Sequence, residues 1–308
     1  MPLPQAALDH YRSGQQLSVV TIANARRLWR SMGGDFNAGW ELIRPRLVQL
    51  LTSAQVSAAS AAEPYVVEAL EQTGQTASRV GAVNPFGLAG VAADGRPLPT
   101  LLDGALVATK RAVGSGATVP DALALGGRWL DMAVHTAVRD ADRAATSVAI
   151  TARPEIQGYV RMVNPPACSR CIILAGRWYR YDAGFNRHER CDCGAIPSSE
   201  NLAGDILTDP KVIFESLSSE QQNSIFTTAG AKAIRDGADM NQVVNARRGL
   251  TVAGSRLTTT EGTTKRGFAG QRMRANGQTI RLMPEAIAEL ARDRTEAIEL
   301  LRSNGFLL

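Results

Sequence analysis

All four cysteines of the 308-residue chain lie between positions 168 and 193, together with one of its three histidines. Cys168-Ser169-Arg170-Cys171 is a C-x2-C turn. His188-Glu189-Arg190-Cys191 supplies an H-x2-C turn after positions 172 to 187, and Cys193 follows two places on. Zinc takes four tetrahedral nitrogen or sulfur ligands, and two such turns brought together provide them. Three cysteines and a histidine close the coordination sphere, leaving no position for a catalytic water, so the expected ion is structural. Alternate residues of an extended chain face one side, so either Cys191 or Cys193 can be the fourth ligand. Cys168, Cys171, His188, Cys191 and Cys193 are thus the candidate metal ligands, with metal-free thiols and a disulfide as the alternatives.

The disulfide is the weaker alternative because residues 1 to 13 have neither the basic start nor the apolar core of a signal peptide. No apolar run is long enough to span a bilayer, so no membrane is expected as a partner. A chain of this length that is 44% hydrophobic can bury a substantial core and has room for two domains. The expected fold class is α+β, mainly helical. A helical domain over 1–150, a Cys/His module over 151–198 and a helical region over 199–308 follow from the patterns below.

Leu17 to Met32 is apolar at helical spacing. Phe36, Ile43 and Leu50 recur every seven residues, with Trp40, Leu47 and Ala54 four places after each, which is the pattern of a packing seam. Pro45 inside this run predicts a kink or a helix start. Residues 74 to 100 are rich in Gly, Pro and Ala and read as a loop. Leu98 to Val113 and Pro120 to Ile150 read as helices, and Tyr159–Val163 and Arg177–Tyr181 as strands flanking the first cysteines. Further on, Ser218 with Gln221 predicts a capped helix to about Arg235, and Asp239 with Gln242 a shorter one ending near Gly249. A third helix is predicted from Pro284 to Ser303, followed by an apolar tail, Phe306-Leu307-Leu308, expected to dock on its own domain.

The run Cys168-Ser169-Arg170-Cys171, then Leu174-Ala175-Gly176-Arg177-Trp178-Tyr179, then His188-Glu189-Arg190-Cys191-Asp192-Cys193 resembles the C-terminal signature of the MuF-like minor head proteins of tailed bacteriophages. It looks most like the actinobacteriophage branch, often labelled capsid maturation protease or head morphogenesis protein. Ala195-Ile196-Pro197 matches the short apolar segment that follows the motif there, and the stretch Val243 to Gly249 is also similar. Glu189 departs from the proline that many relatives carry after the histidine. The resemblance implies a low-copy head morphogenesis protein at the portal region of the procapsid. It would be found in the host cytoplasm during assembly and in the virion afterwards, with the portal and other head proteins as partners.

Only four of the 34 basic residues are lysine. Arginine suits fixed contacts to phosphate and carboxylate, although a genome rich in G and C produces the same bias. Local clustering separates the two readings. Between Asn245 and Arg281 eight basic residues face Glu261 alone, an excess larger than the +5 of the whole chain. Thr and Gly fill the gaps, which predicts a flexible basic arm over 245–281. Arg247, Arg248, Lys265, Arg266, Arg272 and Arg274 are its candidate contacts to DNA phosphates, with an acidic protein surface as the alternative. Phe268 is its sole aromatic, so base stacking is not indicated.

The protease label needs a constellation that the residues do not supply. There is no G-x-S-x-G elbow, and the zinc-protease pattern H-E-x-x-H is replaced by His188-Glu189-Arg190-Cys191-Asp192. If His188 holds zinc, only His10 and His135 remain as bases. No catalytic residue and no small-molecule substrate are assigned. The expectation is a non-enzymatic phage head component with structural zinc, the alternatives being a maturation protease and a nucleic-acid-binding protein.

Overall fold

The computed structural model describes residues 3–164, 167–184, 193–200 and 209–307. It is 62% helical with two small antiparallel sheets, a mainly helical α+β fold. The chain divides into two compact units, 1–164 with 176–208 and 165–175 with 209–308. The stretch 151–198, expected as one module, contributes to both.

The first unit is built on five helices: α1 (Gln5–Trp29), α2 (Phe36–Ser60), α3 (Ala62–Gln72), α4 (Leu98–Gly114) and α5 (Val119–Thr151). Asp35 caps α2 by accepting from the N–H groups of Asn37 and Ala38, and the helix runs through Pro45 as one element. Pro45 therefore does not start a helix. It lies on the exposed face, as does Glu41, whose carbonyl loses its usual partner to the ring and can turn to water. Trp40, Ile43, Leu47 and Ala54 of the expected seam are buried in this unit's own core, with Phe36 and Leu50 partly buried against it. The heptad is therefore a core-facing stripe.

At the centre lies α5, which α1, α2, α3 and α4 all contact. Thr118 caps it, accepting from the Asp121 N–H, and Pro120 stands in its first turn. The Gly126-Gly127 pair does not break it. A Cβ on Gly126 would lie 2.0 Å from Thr109 Oγ1 and 2.9 Å from the Ala105 carbonyl, so the glycine lets α4 and α5 cross closely. The sheet of this unit pairs β1 (Gly158–Met162) with β2 (Trp178–Arg180) on one side and β3 (Gly194–Ser198) on the other.

The second unit carries short helices: α6 (Ser169–Ile172), α7 (Pro210–Ser216), α8 (Ser219–Phe226), α9 (Thr228–Arg235), α10 (Met240–Ala246), α11 (Phe268–Ala275), α12 (Pro284–Leu290) and α13 (Arg294–Ser303). The predicted capping box forms: Ser218 Oγ accepts from the Gln221 N–H at 3.3 Å, and Gln221 Oε1 from the Ser218 N–H at 2.9 Å. The helix it opens stops early. Thr227 takes φ +66° and becomes the cap of α9, its hydroxyl accepting from the Gly230 N–H. The predicted helix from Pro284 to Ser303 is likewise two, because Asp293 caps a fresh start by accepting from the Glu296 N–H at 2.9 Å. In the tail, Phe306 is fully buried against Met283, Ile287 and Leu301, on its own unit.

The basic segment is folded, which corrects the expectation of a flexible arm. Its Thr-rich stretch forms the sheet β4 (Leu250–Ala253), β5 (Arg256–Thr259) and β6 (Arg281–Leu282), in that order. Gly254 at φ +63° opens the two-residue turn between β4 and β5, the position at which a type II′ hairpin places glycine. Thr258 and Thr259 are buried, and Thr259 Oγ1 donates to the Ala246 carbonyl at 2.5 Å. β-branched side chains of this kind pack well on a pleated surface, so threonine here signals strand rather than linker.

Candidate functional site

Cys168 caps α6, and its sulfur accepts from the Cys171 N–H at 3.4 Å. This is the tight turn expected of a C-x2-C knuckle, with α6 packed on α7 and α10 in the second unit. Cys193 belongs to the first unit, where it is buried and takes a hydrogen bond from Arg161 Nη2 to its sulfur at 3.2 Å. A cationic donor suits a sulfur that carries negative charge, as a metal-bound thiolate does. His188 and Cys191 lie outside the described residues. Among the described residues no group of three or more metal-binding side chains gathers. The turn at Cys168 and Cys171 fits half of a zinc knuckle, and the same donors would supply it with two thiolates.

Sequence reasoning missed a buried polar constellation in the first unit. His10 Nε2 on α1 lies 2.6 Å from Asp142 Oδ1 on α5, and Arg139 Nη1 lies 3.0 Å from the other carboxylate oxygen. One residue on, Arg143 donates through Nη1 to Asp140 Oδ1 at 2.9 Å and through Nε to the Cys193 carbonyl at 3.2 Å. Tyr65 on α3 stacks on the His10 ring at 4.2 Å and donates its hydroxyl to the Ala195 carbonyl at 2.7 Å. On α1, a Cβ at Gly14 would lie 1.9 Å from Arg139 Nη1, so that glycine makes room for the guanidinium. Burial alone would raise the Asp142 carboxyl, but the hydrogen bond and charge of His10 and the charges of Arg139 and Arg143 hold it below its ordinary range. Burial, with the Asp142 charge behind it, pushes the Tyr65 hydroxyl up.

A histidine bonded to a buried aspartate is two thirds of a hydrolytic triad, but these neighbours leave no place for a substrate. The cavity lined by His10, Tyr65, Arg139, Asp142 and Arg143 is about 10 Å³, the room of roughly one water molecule. Its geometry is that of a lock joining α1, α3, α5 and the sheet. The clue in the sequence was the spacing of Arg139, Asp142 and Arg143 beside the apolar stripe Val134, Val138, Ala141 and Ala145, which puts charge on the rim of a core face.

The basic candidates are all on the second unit and are not equivalent. Arg247 is tied to Glu285 on α12. Arg248, Lys265 and Arg266 are exposed, and so are Arg272, stacked 5.4 Å from the Phe268 ring, and Arg274, which donates to the Lys265 carbonyl at 2.6 Å. Arg281 is different in kind. Fully buried, it donates to the carbonyls of Asn304 at 2.9 Å and Glu261 at 2.7 Å and to Gln242 Oε1 at 3.0 Å, over the Phe306 ring at 4.3 Å. Burial lowers its guanidinium to about 10 against the opposing charge of Glu261. It is a bolt of the fold, and its charge is not available to a partner. No helix among the described residues is long and apolar enough to cross a membrane.

Compared with known proteins, residues 3–216 match the family model described as VG15 protein. No curated protein and no solved structure matches the chain.

Proposed function

Because the chain belongs to the VG15 protein family, a phage-related family, we propose that this phage protein is a non-enzymatic component of the head, acting at the portal region during assembly. The matched residues include the Cys/His run whose order resembles that of MuF-like minor head proteins. The observation that carries the non-enzymatic half of the reading is the packing at His10 and Asp142. His10, bonded to Asp142, is stacked under Tyr65 beside a cavity of about 10 Å³, too small for a peptide or a nucleotide. Structural zinc remains part of the proposal on the strength of the turn at Cys168 and Cys171.

The test has two arms. Phage lacking the gene should make heads that fail to assemble or to retain DNA, and the protein should be found in purified wild-type particles. Normal infectious particles without it would overturn the reading. Incubation of the purified chain with capsid protein should leave the latter intact, whereas site-specific cleavage would replace the proposal with a maturation protease.

The exposed cations Arg248, Lys265, Arg266, Arg272 and Arg274 favour a second activity, contact with DNA phosphates. Binding of that kind would weaken steeply with added salt and would be lost on reversing those charges, while substitution of Arg281 would unfold the region instead.

A further inference from the structure

We propose that β4 is a docking edge, which accepts an extended acidic segment of a protein partner as a fourth strand of the β4–β5–β6 sheet. The inference goes beyond the head-assembly reading and does not depend on it.

Among the described residues the sheet order leaves β4 with one partner, β5. The Thr260 N–H donates to the Gly249 carbonyl at 3.0 Å, so the Gly249–Thr260 pair is a hydrogen-bonded one. Bonded and non-bonded pairs alternate along an antiparallel ladder. The register then makes Leu250–Thr259 and Val252–Leu257 non-bonded pairs. The Met283 N–H confirms the phase from the other side, since it bonds the Leu257 carbonyl away from β4. The N–H and C=O groups of Leu250 and Val252 therefore point off the free edge, spaced as a strand would meet them.

Natural edge strands are usually blunted by a charge, a proline or a bulge. Leu250-Thr251-Val252-Ala253 has none of these. Leu250 and Val252 share one face and remain 46% and 61% exposed, so apolar contact is available along the same edge as the hydrogen bonds. Peptides that add to a sheet edge use this combination, backbone bonds for affinity and alternate side chains for selection.

Charge decides the occupant. Arg248 precedes the strand and Arg256 stands across the turn at its end, both exposed, and Glu261 is the one acid between Asn245 and Arg281. Two copies of β4 paired edge to edge would bring these arginines together. A segment alternating apolar and acidic residues would place its carboxylates toward them and its apolar side chains on Leu250 and Val252.

The test uses the full-length chain and a fluorescent peptide alternating valine and glutamate, with a valine–lysine peptide as control, read by polarisation. The acidic peptide should bind and the basic one should not. Val252→Pro removes an outward N–H without touching the β4–β5 ladder, and should weaken binding by about tenfold or more while the melting transition stays in place. If Val252→Pro does not fold, Val252→Glu keeps the backbone and sets a like charge against the peptide, with the same loss expected. Undiminished binding by either folded variant would overturn the proposal, as would failure of the acidic peptide to bind the unmodified chain. Duplex DNA that binds equally well to the unmodified chain and Val252→Pro, without peptide binding, would assign the surface to nucleic acid instead.

Discussion

Replacing Asp142 by asparagine should remove a large part of the stability of the first unit. The carboxylate is 6% exposed and has His10 on α1 at 2.6 Å and Arg139 on its own helix at 3.0 Å. Arg143 adds a second guanidinium charge and Tyr65, stacked on His10, closes the pocket. Without the anion, the buried Arg139 guanidinium loses its neighbouring carboxylate, and breaking a buried pair in this way costs about 3–5 kcal/mol. Tryptophan fluorescence reads this unit selectively, because Trp29, Trp40, Trp129 and Trp178 all lie in it. With a slope of roughly 1–3 kcal/mol per molar urea, the fluorescence midpoint should fall by about 1 M or more. The pH dependence has a definite sign. A carboxyl held below its ordinary range contributes stability that is present above about pH 4 and is lost as the pH falls through its native value. The unmodified chain should therefore lose stability on acidification below about pH 4 more steeply than Asp142→Asn. A midpoint shift under about 0.3 M, or identical acid limbs for the two proteins, would refute the view that this cluster locks the helices.

Gly14→Ala should also strain the first unit, since its Cβ would enter the space of the Arg139 guanidinium; about 1–3 kcal/mol is expected, read by the same fluorescence transition. Arg281→Met should unfold or loosen the second unit by about 2–4 kcal/mol by leaving the carbonyls of Asn304 and Glu261 unpaired. That loss should show in far-UV dichroism or hydrogen exchange and leave the tryptophan transition unmoved. Protein purified without chelator should carry about one zinc per chain by elemental analysis, lost in Cys168→Ser and in His188→Ala; a metal-free, equally stable protein would sink the zinc proposal.

Most helices of the first unit were legible because their signals are local, whereas α3 and the first turns of α1 were not. The second helix, α2, is an exception, since the heptad pointed to its right face while Pro45 predicted a kink or a helix start, and the cap that opens it is Asp35. What overrode the proline was burial of Trp40, Ile43 and Leu47 on the opposite face, which no local rule sums. The same holds at Thr227 and Asp293, where caps inside apolar runs divide what periodicity reads as single helices. His10 was unremarkable in sequence because its partner lies 132 positions away.

The basic segment and the cysteine run fail for a related reason. Threonine and glycine between arginines are the composition of a solvated linker, and also of a short sheet whose hydroxyls satisfy neighbouring carbonyls, as Thr259 does for Ala246. Only the placement of Arg281 under the chain end, reaching Asn304 and stacked on Phe306, turns that composition into a fold. The cysteine run is continuous in sequence, yet the chain enters the second unit at 165, returns to the first at 176 and leaves it again after 208. Cys168 and Cys171 sit in that excursion because Cys171 and Ile172 are buried there, on a helix packed against α7 and α10. A motif read along the chain specifies which atoms can bind a metal. Which unit holds each of them is decided by apolar burial far away in sequence, so ligand chemistry was legible from spacing and domain membership was not.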